Sequence, residues 1–410
     1  MELINGGICA AKGFTASGVH CGIRKNKTKR DLALILSEKK ASAAAVYTTN
    51  LVKGAPLAVT KMHLMDGKAQ AVICNSGNAN TCNADGIQVA QEMAKLTAEE
   101  LGIEVEDVVV ASTGVIGREM PIDIISKVAY ESLSKLGSEP ENSLAAAKAI
   151  MTTDTFPKEA AIEVTLTSGE VVKIAGITKG SGMIAPNMAT MLSFIVTDAV
   201  ISQKAIKKAL TKAADLSFNM IVVDGDESTN DTCLMLANGS SGVDVEKNGG
   251  IDPNFQEGLN HICINLAKKM ARDGEGASKF IEANVKGAES FEDAKLAAKA
   301  IVTSPLFKSA VFGGDPNWGR IVSAIGYSGS ELNPDIVTIA IADDEDEVDL
   351  VRKGEILAFD GTTYLERAEK IMQSKNVTVK INMFLGDGEA TAWGCDLTYD
   401  YVKINAEYTT

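Results

Sequence analysis

The chain has 410 residues, of which 45% are hydrophobic and 23% are charged, and its formal net charge is −14 at pH 7. This composition is that of an ordinary globular protein, and the length predicts two or three domains with a large core. The excess of acidic residues argues against nucleic-acid binding, because phosphates require a basic surface.

The seven cysteines are odd in number and form no Cys-x-x-Cys pair. That pattern indicates free thiols in a reducing cytoplasm instead of a disulfide framework or a zinc ribbon. The chain has no run of about eighteen apolar residues, and its first residues lack a signal-peptide pattern. We therefore expect a cytoplasmic protein that is neither exported nor inserted in a membrane.

The first part of the chain alternates strand-like runs with helical patterns. Residues of high strand propensity predict strands over 32–37, 43–48, 57–60, 71–74 and 107–111. Apolar residues at helical spacing predict helices over 87–101, 122–136 and 143–151. Two further strands, 160–167 and 171–177, lead into a glycine-rich loop.

Strands and helices continue in blocks after this loop. In chain order, the pattern predicts strand 191–197, helix 203–216, strand 219–224, helix 253–272, strand 280–285, helix 291–302, and strands 336–342, 377–384 and 392–404. Because this order is not a strict βαβ alternation, the sequence predicts a layered α+β fold and not a doubly wound parallel sheet.

The glycine-rich loop, Lys179-Gly-Ser-Gly-Met-Ile-Ala-Pro-Asn-Met-Ala-Thr190, ends at a threonine that opens a strand. A threonine hydroxyl needs a nearby base to act as a nucleophile, and the three histidines lie far away in sequence, at positions 20, 63 and 261. A cut before Thr190 would free an α-amine with a pKa of about 8, which can serve as that base. The local pattern alone also fits a threonine that merely begins a half-buried strand.

This loop resembles the self-cleavage segment of the ornithine acetyltransferase (glutamate N-acetyltransferase) family of arginine biosynthesis. The resemblance covers nearly the whole chain, with no departure at a position that the family uses for chemistry. It rests on further blocks in the family's order: Cys74-Asn-Ser-Gly-Asn-Ala-Asn80, Ser112-Thr-Gly-Val-Ile-Gly117, Met151-Thr-Thr-Asp-Thr-Phe156, Asp224-Gly-Asp-Glu-Ser-Thr-Asn-Asp231, Gly314-Asp-Pro-Asn-Trp-Gly-Arg320 and Tyr401-Val-Lys-Ile-Asn-Ala-Glu-Tyr-Thr-Thr410.

The resemblance implies roles for individual residues. The chain would cut itself between Ala189 and Thr190, and Thr190 would be the catalytic nucleophile. The oxyanion hole would consist of the Thr113 hydroxyl and the Gly114 N–H, although Thr-Gly after a strand is by itself usually a turn. The implied substrate-binding residues are Thr153, Lys179, Thr190, Glu275, Asn405 and Thr410.

Substrate chemistry fits two of these residues. An amino-acid substrate carries a carboxylate, which Lys179 could hold. The Glu275 carboxylate is the natural partner of an ornithine side-chain ammonium. On sequence alone, however, such polar residues more often belong to solvated loops and caps.

The resemblance also implies an architecture and a reaction. The fold would be a layered αββα arrangement of the N-terminal-nucleophile type, in which an α chain (residues 1–189) and a β chain (residues 190–410) share one interlocked fold and assemble as an α2β2 heterotetramer. In a ping-pong reaction, N2-acetylornithine would acetylate Thr190 and leave as ornithine, and glutamate would then take the acetyl group. No cofactor and no metal is expected. Acetyl-CoA stays open as a second donor.

Two other functions remain open on the residues. A related self-processed amidase or aminopeptidase would give the acyl group to water, and a non-catalytic amino-acid-binding protein would keep its chain uncut. Other motifs match no site template: the carboxylates of 224–231 miss the spacing of a calcium loop, and the glycines of 313–319 lack the residues of a phosphate-binding loop.

Overall fold

A computed structural model describes residues 2–123, 125, 134–185, 191–247 and 249–407. The chain divides into two compact units. The first comprises Met1–Gly180, Pro186–Asn219 and Glu227–Leu266, and the second comprises Ser181–Ala185, Met220–Asp226 and Ala267–Thr410. No helix within the described ranges has both the length and the apolar content needed to cross a membrane.

Strands and helices occur along the whole chain. The strands are β1 (Glu2–Ile4), β2 (Phe14–Val19), β3 (Leu32–Tyr47), β4 (Lys68–Asn78), β5 (Val108–Val115), β6 (Lys158–Thr165), β7 (Val171–Lys179), β8 (Leu192–Thr197), β9 (Ile221–Val222), β10 (Thr232–Ala237), β11 (Glu246–Lys247), β12 (Gly250–Ile251), β13 (Phe280–Ala288), β14 (Thr338–Ala342), β15 (Glu347–Arg352), β16 (Glu355–Ile356), β17 (Asn376–Asn382) and β18 (Gly388–Cys395). The helices are α1 (Ala55–His63), α2 (Gly86–Leu101), α3 (Pro140–Ile150), α4 (Gln203–Asp215), α5 (Pro253–Arg272), α6 (Phe291–Thr303), α7 (Pro305–Gly313), α8 (Trp318–Gly326), α9 (Thr363–Ile371) and α10 (Tyr399–Ala406).

Among its described residues, the first unit contains one large sheet and the short pair of strands β11 and β12. Within the described ranges, the strands of the large sheet pair in the order β1-β6-β7-β8-β10-β3-β4-β5, and β2 also pairs with β3. Successive residues of a strand point to opposite faces, and here both faces are apolar. On β3, for example, Ala33 and Ile35 enter one buried cluster, whereas Leu32 and Leu34 enter another.

Helices cover both faces of this sheet. The alanine-rich face of α3, including Ala146 and Ala149, joins the first cluster, and Ala90 and Met93 of α2 join the second. Small alanine side chains let α3 approach the strands closely, and α3 contacts β2, β3, β4, β6 and β7. Both faces of this sheet are apolar, and the helices shield both of them from water.

Three neighbouring strands set the register around the glycine-rich loop. Lys179, the last residue of β7, pairs with Leu192 at the start of β8. Leu192 in turn pairs with Thr232 at the start of the parallel strand β10. Gly180, Met191 and Asp231, which adjoin these paired residues, consequently lie at the same end of the three strands.

The second unit has its own sheet. In the described part of the chain, its strands pair in the order β16-β15-β14-β17-β13-β18-β9. Helix α6 packs on β13 and β18 through buried alanines and Ile301. The short strand β9 pairs in parallel with β18, so that Ile221 lies beside Trp393.

The prediction of an α+β fold is confirmed, and most predicted elements are present. The helix predicted over 253–272 matches α5 in both bounds, and the strands predicted over 32–37 and 43–48 are two parts of the single strand β3. The helix predicted over 122–136 falls largely outside the described residues.

Two predicted strands are wrong. Residues 57–60 belong to helix α1, in which Pro56, Val59, Thr60 and His63 are buried at helical spacing. Pro56 lies in the first turn, where its missing N–H is not needed. The strand predicted over 392–404 stops at Cys395, and helix α10 follows because Thr398 accepts a hydrogen bond from the N–H of Tyr401.

Candidate active site

A buried group of charges lies at the end of β7 in the first unit. Lys179 is 8% exposed, Asp154 is 5% exposed and Lys158 is fully buried. The Asp154 carboxylate accepts hydrogen bonds from Lys158 Nζ at 2.6 Å and from the Gly180 N–H at 2.8 Å. Asp154 thus binds both the Lys158 ammonium and the N–H of Gly180, the second residue of the glycine-rich loop.

Lys179 reaches from this group to the predicted oxyanion residue. Its Nζ donates a hydrogen bond to Thr113 Oγ1 at 3.3 Å. Thr113 and Gly114 are the two residues before Val115, the last residue of β5. The structure therefore brings together two residues that lie 66 positions apart in sequence and were predicted separately.

The backbone at Gly114 requires glycine. Its φ is +133°, a region that side chains rarely adopt, and a Cβ there would lie 2.3 Å from the carbonyl carbon of Gly77. Gly114 pairs with Gly77 on β4, so the two strands approach closely at this point. A side chain at residue 114 would therefore push the two strands apart beside Thr113.

The protonation of this charge group follows from its burial. Burial lowers the pKa of Lys179, and the nearby carboxylate of Asp154 partly offsets that effect. Burial by itself would raise the pKa of Asp154, but Lys158 and Lys179 lower it below its usual value. Asp154 is therefore held as an anion between two lysines.

Thr153, another predicted substrate contact, directly precedes Asp154. It is half-buried and lies in the segment between the end of α3 and the start of β6. The Asp154 carboxylate also accepts the Thr152 N–H at 2.9 Å, which ties this turn to the charge group. The turn that contains Thr153 is consequently tied, through Thr152, to the same carboxylate that binds Lys158.

The second unit holds the predicted contacts Glu275 and Asn405. Glu275 is 8% exposed, and its carboxylate accepts a hydrogen bond from Asn405 Nδ2 at 2.8 Å. Its N–H donates to the Ser181 carbonyl at 2.8 Å. A Cβ at Gly182 would lie 2.3 Å from the Glu275 carboxyl carbon, so the loop passes close to the end of this side chain.

Asp224 fixes the same loop from another side. Its two carboxylate oxygens accept the N–H groups of Met183 at 2.6 Å and Ile184 at 2.8 Å. Asp224, the first aspartate of the 224–231 block, therefore holds the loop in place, although the sequence analysis gave it no role.

Asp224 also acts on Tyr401. Burial, together with the carboxylates of Asp224 and Glu275, raises the pKa of Tyr401.

The structure thus places the predicted residues in two groups, one in each unit. The first contains Thr113, Gly114, Thr153 and Lys179, and the second contains Glu275 and Asn405. Ala189, Thr190 and Thr410 lie outside the described residues.

Sequence reasoning assigned no role to Asp154, Lys158 or Asp231, which are buried charged residues of the first unit. The four-residue spacing of Asp154 and Lys158 was a usable signal for a pair, but such spacing is common in solvated turns. Only the burial of both side chains distinguishes this pair from a surface contact.

A surface pocket of about 620 Å³ lies elsewhere in the first unit. It is near the N-terminal ends of α1 and α2, and its lining includes Lys53, Lys61, Asn80 and Cys82. None of the predicted site residues lines it. Its volume therefore gives no support to the assignment of the active site.

Comparison with known proteins shows extensive similarity. The model of the ArgJ family matches residues 15–410. A glutamate N-acetyltransferase from Methanothermobacter thermautotrophicus is 48% identical over 411 residues, which is 100% of this chain and 99% of that protein. An arginine biosynthesis bifunctional protein from Symbiobacterium thermophilum is 48% identical over 413 residues, covering 100% of both chains.

Similarity to solved structures is also present. The crystal structure of an ornithine acetyltransferase from Mycobacterium tuberculosis, complexed with ornithine, is 34% identical in sequence. The match covers 46% of this chain and 99% of the solved chain, with a TM-score of 0.42.

Proposed function

The chain belongs to the ArgJ family of acetyltransferases of arginine biosynthesis, and from this premise we propose that it is a glutamate N-acetyltransferase. The proposed donor is N2-acetylornithine and the proposed acceptor is glutamate. The acetyl group is carried on Thr190, which becomes available after the chain cuts itself between Ala189 and Thr190. Relatives with nearly the same identity over the full chain are named glutamate N-acetyltransferase or bifunctional protein, which supports this assignment.

One observation carries the proposal beyond family membership. The hydrogen bond between Lys179 Nζ and Thr113 Oγ1, at 3.3 Å, joins the predicted carboxylate-binding cation to a predicted oxyanion donor. Both groups lie in the unit whose strand β8 begins two residues after Thr190. A cation and hydroxyl in contact at low exposure suit a substrate that carries a carboxylate beside the carbonyl under attack.

The proposed reaction has two acyl transfers. Thr190 Oγ attacks the acetyl carbonyl of N2-acetylornithine while the freed α-amine of Thr190 takes the hydroxyl proton. The C–N bond breaks, the proton passes to the departing amine, and ornithine leaves. The glutamate amine then attacks the acetyl carbon of acetyl-Thr190 and loses a proton to the Thr190 amine. The bond between the acetyl carbon and Thr190 Oγ breaks, the proton returns to Oγ, and N-acetylglutamate leaves. In each step the Thr113 hydroxyl and the Gly114 N–H would stabilise the oxyanion.

The sheet supports the idea that the two pieces stay together. Strand β7, from the proposed α chain, pairs along its length with β8, from the proposed β chain. On its other side β8 pairs with β10. A cut before Thr190 would leave these backbone hydrogen bonds intact. We further propose an α2β2 assembly in the cytoplasm, with small-molecule substrates and no nucleic-acid or membrane partner.

The first test is the intact mass of the purified protein under denaturing conditions. Two fragments, the second of which begins at Thr190, are expected. Thr190→Ala should abolish both cleavage and acetyl transfer, because it removes the hydroxyl that performs them. A Thr190→Ser variant is the matched control, since it keeps a hydroxyl at the same position and should retain some of both activities.

An acetyl-transfer assay then identifies the acetyl donor and the acetyl acceptor. N2-acetylornithine with glutamate should give ornithine and N-acetylglutamate, and mass spectrometry should detect an acetyl group on the fragment that begins at Thr190. Acetyl-CoA as the alternative donor tests for a bifunctional enzyme. Release of acetate at the same rate without glutamate would favour an amidase. An uncut chain, or an active Thr190→Ala protein, would contradict the proposed mechanism.

A further inference from the structure

Strand β5 pairs only with β4 among the described strands, so one side of its backbone faces no other strand. Buried carbonyl groups on such an edge need other hydrogen-bond donors. Side chains provide these donors at alternate residues: His63 Nδ1 donates to the Val108 carbonyl at 2.8 Å, Thr60 Oγ1 to the Val110 carbonyl at 2.7 Å, and Asn230 Nδ2 to the Ser112 carbonyl at 2.9 Å. Of the three, Asn230 makes the contact that adjoins the proposed oxyanion residues.

The Asn230 amide is buried, and its hydrogen-bonding capacity is fully used. The residue is 4% exposed. Its Nδ2 donates to the carbonyls of Ala79 at 2.6 Å and Ser112 at 2.9 Å. Its Oδ1 accepts the hydroxyls of Thr81 at 2.7 Å and Thr229 at 2.5 Å. Because carbonyl oxygens can only accept, the amino group of this amide must face them, and the four partners hold the side chain in one orientation.

These contacts fix both ends of segment 113–114. The Ser112 carbonyl, which Asn230 binds, belongs to the planar peptide unit that leads into this segment. At the other end, the Val115 carbonyl accepts the Ala79 N–H at 3.0 Å. Since Asn230 also binds the carbonyl of Ala79, it holds one end of the segment directly and the other end through a single residue.

The two proposed oxyanion donors are the Thr113 hydroxyl and the Gly114 N–H, and such donors must be in place before the negative charge develops. Glycine loses more conformational freedom on ordering than any other residue, so Gly114 keeps one orientation only if the backbone on either side of it is held. Lys179 contacts the side chain of Thr113 and not its backbone. Pairing with β4 holds one side of this backbone, and Asn230 holds the other.

We propose that Asn230 is a positioning residue for the oxyanion hole: its amide binds the backbone on either side of segment 113–114 and thereby fixes the two groups that stabilise the oxyanion. This inference rests on the proposed function and on the roles proposed for those two groups. Gly54 packs so closely against the amide that a Cβ there would lie 2.6 Å from Asn230 Nδ2. The amide therefore has little room to move, as a positioning group requires.

The test is Asn230→Asp in the full-length protein. Aspartate has nearly the size and shape of asparagine, but it turns an oxygen, and no N–H group, toward the two carbonyls. We expect kcat, counted per cleaved chain, to fall by roughly tenfold to a hundredfold, because displaced donors stabilise the oxyanion less well. KM for N2-acetylornithine and for glutamate should change little, since an oxyanion forms in both acyl transfers and both slow together. Acetyl-transfer kinetics measure kcat and KM, and the intact mass gives the cleaved fraction.

Thr60→Val is the matched control. Thr60 is also buried, and its hydroxyl binds both the carbonyl and the N–H of Val110 on the same edge of β5. Valine keeps the shape and removes this support, so the free energy of unfolding should fall, as it should for Asn230→Asp. The control should nevertheless keep kcat per cleaved chain close to the wild-type value, because Val110 does not adjoin segment 113–114.

A double substitution shows whether Asn230 acts through the oxyanion hole. Thr113→Val removes the hydroxyl donor and should itself lower kcat. If Asn230 positions that donor, adding Asn230→Asp to Thr113→Val should lower kcat by a smaller factor than adding it to the wild type, because the effects of residues that act as a unit are not additive. A purely structural role would give the same loss in both backgrounds.

Several results would overturn the proposal. These are wild-type kcat in Asn230→Asp, a change in KM alone, an equal loss of kcat in Thr60→Val, or the same loss with and without Thr113→Val. If Asn230→Asp does not fold, Asn230→Ala replaces it and must show the same loss of kcat at unchanged KM. A wild-type chain that is uncut or inactive, or a Thr113→Val protein with full activity, refutes the proposed function and mechanism, whereas an active wild type with an unaffected Asn230→Asp refutes only this inference.

Discussion

The two groups of predicted substrate-binding residues differ in how their charges are held. In the first unit, Lys179 is buried beside the ion pair of Asp154 and Lys158, whose side chains are both inaccessible to solvent. In the second unit, buried Glu275 is contacted by Asn405, which is exposed on the last helix. Charges taken out of water are costly to disturb, whereas a contact from an exposed chain end is easily lost. Substitutions in the first group should therefore affect stability as well as catalysis.

The largest effect is expected from Asp154→Asn. This change leaves the fully buried Lys158 ammonium without its anion, and breaking such a pair typically costs about 3–5 kcal/mol. Because folding lowers the pKa of Asp154, its stabilising effect is complete above its ordinary pKa of 3.8 and is lost as the pH falls through the lowered value. Denaturant unfolding at neutral pH measures the difference.

Glu170→Gln is the matched control for that prediction. Glu170 pairs with Lys247 at 3.3 Å, but both side chains are about half exposed. The control should leave the free energy of unfolding almost unchanged, since exposed pairs contribute little. If the two substitutions lowered the free energy of unfolding equally, burial would not make the Asp154–Lys158 pair more stabilising than an exposed pair.

An intermediate effect is expected from Lys179→Met. Removal of the cation should weaken ornithine binding by roughly tenfold to a hundredfold, the equivalent of one charged hydrogen bond of about 1.5–3 kcal/mol. Burial lowers the pKa of Lys179 below its ordinary value of 10.5. In the wild type, Lys179 therefore loses its positive charge as the pH rises toward 10.5, and the carboxylate of ornithine then loses the cation that we expect to bind it. Titration calorimetry over the alkaline range should show affinity falling for the wild type. A variant that binds ornithine like the wild type would argue against carboxylate binding by Lys179.

The smallest effect is expected from Asn405→Ala. The side chain donates one hydrogen bond to Glu275 from an exposed helix, and Glu275 keeps its backbone contact with Ser181 when that bond is lost. We expect KM for N2-acetylornithine to rise by about threefold or less, as for a single hydrogen bond of about 0.5 kcal/mol. Lys403→Ala, on the same helix, should have no effect on KM. A change as large as that of Lys179→Met would show that the C-terminal helix is as tightly coupled to substrate as the buried group.

Local sequence patterns predicted the elements that do not depend on distant partners. Helix α5 begins at Pro253 and ends at Arg272 as its apolar periodicity indicates. Segment 57–60 was misassigned because its apolar residues suit a strand in a short window, and only the longer spacing from Pro56 to His63 reveals a helix. At 392–404, the chain changes from strand to helix at Thr398, a cap that the apolar pattern obscured.

The sequence by itself determined the α+β class and, through whole-chain resemblance, the family and the residues expected to act, including Thr113 and Lys179. Tertiary structure alone decided that those two side chains meet, that Lys158 is buried against Asp154, and that Asp231 lies beside Met191. The physical reason is that each of these facts depends on strand register and burial. Both are set by pairing between segments far apart in sequence, so no local window of residues contains them.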